Sequence, residues 1–201
     1  MSLVSNLFLL FVAASVLVYY IVPHKFQWLV LLCFSYIYYL AGGVRYVGFL
    51  LFSTLITWLI ALAVEKTEAK GSHKGARNLL VLGLLLNFGM LGVVKYTNFA
   101  IENLNALFHM NLRGMEILLP LGISFYTFQS SGYLLDVYWK RCEAEKNPVK
   151  YALFVSFFPQ ILQGPIGRYS RLAHQLYEPH KFEGKNITRG FERILWGFFK
   201  K

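Results

Sequence analysis

One stretch limits this chain more than any other. Leu119–Tyr138 reads LPLGISFYTFQSSGYLLDVY and carries no charge until Asp136. It is long enough to cross the hydrocarbon core of a bilayer. Wound as a helix, it places Pro120, Ser124, Thr127 and Ser131 on one stripe. Lipid gives hydroxyls no partner. Such a stripe therefore turns toward other helices or a water-filled cavity, or its hydroxyls bond back to their own helix carbonyls. Both arrangements stay open on geometry alone.

The rest of the chain repeats the apolar theme. Hydrophobic residues make up 56% of the 201 residues, and only 15% are charged. A soluble domain carries about 25% charged residues. The spacing predicts an all-α, polytopic integral membrane protein organised as one domain. About five transmembrane helices are expected, at 3–22, 26–41, 46–64, 79–94 and 117–135. The polar stretches 65–78 and 136–150 are expected as loops. Residues 96–108 read as an interfacial helix or a plain loop helix. The first apolar run is too long for a signal-peptide core and is expected as a retained span.

Tyr151–Arg168 is apolar but interrupted by Pro159, Gly164 and Pro165. It reads as a re-entrant or broken segment, with a tilted, kinked span as the alternative. Residues 187–201 form an amphipathic helix with Ile187, Phe191, Ile194, Leu195 and Phe198 on one face. Asn186 is the expected cap. That helix either lies on the membrane surface or begins a further span. It meets no Gly, Asn or Pro that would stop it, so the sequence reads as part of a longer protein.

The net charge of +10 does not point to nucleic acid, because the bases lie between apolar runs. With the N-terminus outside, the first three inner connections hold 9 Lys and Arg against 3 outside. If 151–168 re-enters, the count becomes 17 against 3. The expected location is therefore the cell (plasma or inner) membrane, multi-pass, with the N-terminus extracytoplasmic.

No metal site or catalytic constellation is expected. Cys33 and Cys142 are far apart, and the five histidines fall in polar or interfacial stretches. Gln160 and Gln163, three apart, with Arg168 after a Gly-Pro turn, suit a phosphate-bearing or carrier-bound substrate. The alternative for Arg168 is an anchor on lipid headgroups.

Three blocks in this order, LPLGISFYTFQSSGYLLDVY, ALFVSFFPQILQGPIGRY and RGFERILWGFFKK, resemble the membrane-bound O-acyltransferase (MBOAT) family, most closely its alginate O-acetyltransferase-like branch. The resemblance implies the N-terminal part of a polytopic enzyme built around a tunnel. Such an enzyme moves an acyl group from a cytoplasmic thioester, acetyl-CoA or a carrier-protein thioester, toward a polysaccharide acceptor or a secreted acetyltransferase partner. It implies Tyr126, Gln129, Gln160, Gln163 and Arg168 as tunnel-lining candidates. The family's hallmark histidine is expected beyond Lys201, so no catalytic residue is assigned. D-alanyl transfer to teichoic acid, a transport or scaffold protein, and an inactive remnant are the alternatives.

Overall fold

The computed structural model describes residues 6–108, 113–114, 120, 122–161 and 167–200. Among these it is all helical. Helix α1 covers Asn6–Ile21, and a 3-10 turn at His24–Phe26 leads into α2, Gln27–Gly42. Two long helices follow, α3 at Val44–Ala69 and α4 at His73–Phe108. Then come α5, Ile123–Tyr138, α6, Pro148–Ser156, and the single turn α7, Phe158–Ile161. The order ends with α8, Tyr169–Tyr177, and α9, Gly184–Phe199.

Helices α3 and α4 are long and apolar enough to cross a membrane; α1 is a shorter apolar helix. Helices α1, α2 and α5 each have 16 residues, or ~24 Å. That is less than the ~30 Å of hydrocarbon core. The expected count of about five spans therefore meets two helices that qualify by length and composition.

Two boundaries differ from the sequence reading. The expected loop 65–78 is mostly helix. Glu, Lys and Ala are good helix formers despite their charge, so α3 runs on to Ala69 and α4 starts at His73. The turn between them closes with Gly71 N–H to Glu68 O and Ser72 N–H to Thr67 O, at 3.0 and 3.2 Å. Likewise 96–108 is neither a separate helix nor a loop. It continues α4 without a break, and Thr97 and Asn103 bond back to carbonyls one turn earlier.

Helices α3, α4 and α5 form the central bundle. They pack closely at Gly83, where an added Cβ would lie 2.8 Å from Leu134 and 3.1 Å from Ile60. Lipid is as apolar as leucine, so such fitting rather than the hydrophobic effect holds helices together in a membrane. Inside the bundle Ser53 Oγ donates to Asn87 Oδ1 at 2.9 Å. The Asn87 amide donates to Thr57 Oγ1 at 2.9 Å and to Gly83 O at 3.0 Å. Each of these three side chains bonds to another in the knot.

Helices α2, α6 and α8 pack around that bundle, and α1 lies against α2. Phe8 and Phe11 of α1 also meet the Phe158 ring, at 6.3 and 5.3 Å between centroids. Helix α9 leaves Phe191, Ile194, Leu195, Trp196 and Phe199 exposed. It begins at Gly184, two residues before the expected cap. Asn186 instead donates to the Glu183 carboxylate at 3.2 Å.

Candidate functional site: a broken helix beside a polar one

Helix α5 is buried on nearly every side, including Tyr126, Thr127, Gln129, Ser130, Ser131, Tyr133 and Asp136. Its start depends on Gly122, which adopts φ 71°. A Cβ at that position would lie 2.1 Å from Ile161 O, so the end of α7 rests directly on the backbone there. Pro120 lies outside the helix, so the stripe reduces to Ser124, Thr127 and Ser131. The helix ends with Lys140 in left-handed conformation, φ 57°. Lys140 N–H bonds Val137 O, and Arg141 N–H bonds Asp136 O.

Helix α6 starts with Asn147 accepting from Val149 N–H and Lys150 N–H, and Pro148 occupies its first turn. It stops at Phe157, whose ψ of 107° is not helical. Pro159 two residues later could not have bonded back to the helix. Such a break strands carbonyls and amides, and neighbouring helices take them up. Gln129 donates to Phe154 O at 3.0 Å. Phe158 N–H donates to Ser35 Oγ of α2 at 3.2 Å.

The excursion then returns to its origin. Tyr169 donates to Glu145 Oε2 at 2.7 Å, and Tyr177 donates to Lys150 O at 2.6 Å. Glu145 is the clasp. Its N–H donates to the Tyr133 hydroxyl, its carbonyl accepts from Trp58 Nε1, and its Oε1 accepts from Asn147 N–H. The Tyr133 ring lies 4.7 Å from both Tyr151 and Tyr169. Beyond α8, Gln27 pairs with the His180 backbone in both directions, at 3.1 and 2.9 Å. Tyr20 meets the Phe182 ring.

A seam of buried hydroxyls accompanies these elements. Thr127, Ser130 and Ser131 of α5 and Ser156 of α6 are buried, with no hydrogen-bond partner among the described residues. The Tyr151 hydroxyl faces Ser130 and Thr57 without hydrogen-bond geometry to either. Back-bonding to a helix carbonyl, the alternative that the sequence left open, occurs at Ser15, Ser35 and Thr54. It does not occur along this seam.

Of the five sequence-predicted lining residues the structure describes four. Tyr126 is wholly buried against Tyr39 of α2. Gln129 is engaged as the cap of α6. Gln160 has a buried Oε1 with no partner among the described residues. It lines a 510 Å³ cavity with Ser15, Tyr19, Leu172, Gln175 and His180. Arg168 is exposed just before α8. Gln163 lies outside the described residues.

Sequence reasoning did not single out Tyr19 or His180, whose Oη and Nδ1 are 3.1 Å apart at the cavity. Nor did it single out Glu145. An interfacial tyrosine and a lone polar residue in a basic loop carry no periodic signal. Among the described residues no three His, Cys, Asp or Glu side chains could together hold a metal ion. Chemically the hydroxyls of the seam are neutral donors and acceptors, which position a polar group but do not take its proton; the cavity adds the His180 imidazole.

No family model matches the chain, and no solved structure does. Curated sequences do. Over 205 residues and 98% of its length the chain is 34% identical to "Probable alginate O-acetylase AlgI" of Azotobacter vinelandii, covering 40% of that protein. The same protein name in Pseudomonas putida gives 34% identity, with 98% of this chain and 41% of the relative covered. "Peptidoglycan O-acetyltransferase" of Helicobacter pylori is 32% identical over 200 residues, which is 87% of this chain and 37% of the relative. The chain thus spans about two-fifths of the length of the curated relatives it matches. With likeness at this level along nearly its whole length, the chain belongs to the membrane-bound O-acyltransferase family, beside the alginate O-acetylases.

Proposed function

We propose that this chain is the N-terminal, donor-side part of a membrane O-acyltransferase. The enzyme moves an acetyl group from a cytoplasmic thioester, acetyl-CoA or an acyl-carrier thioester, toward an exported or cell-surface polysaccharide. Acceptance by a secreted acetyltransferase partner is part of the same reading. The names of the relatives support acetyl as the group and a glycan as the acceptor.

In this reading α1 to α5 cross the plasma or inner membrane with the N-terminus outside, and 148–169 enters and returns. The three 16-residue helices are accommodated by local thinning of the bilayer. The observation that carries the reading is the broken α6–α7 helix: Glu145 and Lys150 at its start hold Tyr169 and Tyr177 of α8, and Gln129 of α5 takes up its Phe154 O. Non-helical backbone at membrane depth persists only where protein or a cavity surrounds it. With the excursion re-entrant, the inner side gathers 17 of the 20 Lys and Arg.

Three of the lining candidates then have a task. Gln160 and Gln163 supply neutral hydrogen bonds to the acyl carrier arm. Arg168 at the mouth meets the phosphate that both candidate donors contain. The general base for the acceptor is supplied from beyond Lys201. The test uses the full-length enzyme. Gln160→Ala and Arg168→Ala should each lower polysaccharide acetyl content by about tenfold, as loss of a positioned hydrogen bond does. Membrane insertion should stay intact. Unchanged acetyl content in both variants would remove the assignment.

A further inference from the structure

On α4 a stripe of residues points away from the bundle. Ala76, Leu80 and Gly83 face inward and are buried. On the outer side Lys74, Arg77 and Asn78 lead into Val81, Leu82 and Leu85 at helical spacing. The three apolar residues are 46%, 48% and 66% exposed. A 610 Å³ groove runs along these six residues.

Neither cation has an ion-pair partner among the described residues. The nearby acids are engaged elsewhere. Glu68 pairs with His73 at 2.6 Å and Lys140 at 3.2 Å, and Glu65 accepts from Ala144 N–H at 2.8 Å. Two free cations three residues apart stand ~5–6 Å apart at Cβ, within reach of one phosphate. Arginine adds a two-pronged donor. Directly beyond them, on a helix apolar enough to cross a membrane, lies bare aliphatic surface.

We propose that this stripe binds one anionic phospholipid, with its phosphate on Lys74 and Arg77 and one acyl chain along Val81, Leu82 and Leu85. The occupant is a lipid because charge and apolar surface follow each other along one helix face, in the order of head and tail. The proposal rests on the membrane reading of the chain.

The test uses the full-length protein in nanodiscs of phosphatidylglycerol and phosphatidylcholine, with retained lipid counted by native mass spectrometry. Lys74→Gln and Arg77→Gln should each lower phosphatidylglycerol occupancy about fivefold, the worth of one cation near a membrane surface. Leu82→Trp, which fills the groove and leaves the cations, should lower it as well. Equal occupancy in wild type and all three variants would overturn the proposal. So would displacement of the lipid by inorganic phosphate with Leu82→Trp having no effect. A Leu85→Cys cross-link to a later segment of the same chain would also overturn it, because protein would then cover the groove. Carbonate-resistant membrane association is expected to be the same in every variant, and its loss in the wild type would count against the membrane reading instead.

Discussion

Two clusters of buried polar groups sit in one helical bundle and behave oppositely. Around Asn87, the amide, Ser53 and Thr57 each bond to another member of the cluster. Along α5, Thr127, Ser130 and Ser131 use none among the described residues. Both clusters are hydroxyls and amides on apolar helices, so composition does not separate them. Mutual bonding does. The bonded knot fixes how α3 and α4 meet. Along α5 the hydroxyls keep hydrogen-bonding capacity that the described residues do not use.

The largest expected effect strikes the frame that the seam depends on. Gly122→Ala adds a Cβ against Ile161 O in a backbone region that alanine disfavours. It should cost about 3 kcal/mol and lower the thermal unfolding midpoint of the full-length protein in detergent. A midpoint equal to wild type would mean that α5 and α7 do not meet there. Next, Asn87→Ala should cost about 1–3 kcal/mol by stranding Ser53 and Thr57. Acetylation per folded molecule should be unchanged. Ser131→Ala should do the reverse, moving stability by less than about 0.5 kcal/mol while acetylation falls. Equal destabilisation by Asn87→Ala and Ser131→Ala would erase the distinction.

The smallest effect lies in the loop after α5. Burial pushes the Cys142 thiol up to about 11, and the carboxylates of Asp136 and Glu65 add to the shift. The thiol is therefore neutral at physiological pH. Its alkylation should be slow at pH 8 and rise about tenfold per pH unit toward pH 11, since only the thiolate reacts. A rate already level by pH 8 would contradict the burial of that loop against α3.

The all-helical character, the membership of the family and the polar face of α5 could all be read from the residues. Apolar run length, three worded blocks and the 3.6-residue period each leave a local trace. The continuation of α3 and α4 through 65–78 was hidden because charged helix formers resemble a loop. The clasp left no trace. Glu145 meets Trp58, Tyr133 and Tyr169 from three other parts of the chain, and Gln27 meets His180 across 153 residues. Gln129 is marked by its residue type, but its bond to Phe154 O at the end of α6 leaves no local trace.

The most direct test asks whether 148–169 leaves and returns on one side. In the full-length protein, with Cys33 and Cys142 replaced by serine, single cysteines are placed at Lys146, Lys185 and Gly114. They are labelled in sealed vesicles with a membrane-impermeant maleimide. The account predicts that Lys146→Cys and Lys185→Cys react only from the cytoplasmic side, and that Gly114→Cys reacts only from the other. Labelling of Lys146→Cys and Lys185→Cys from opposite sides would turn the excursion into an ordinary span and contradict the account.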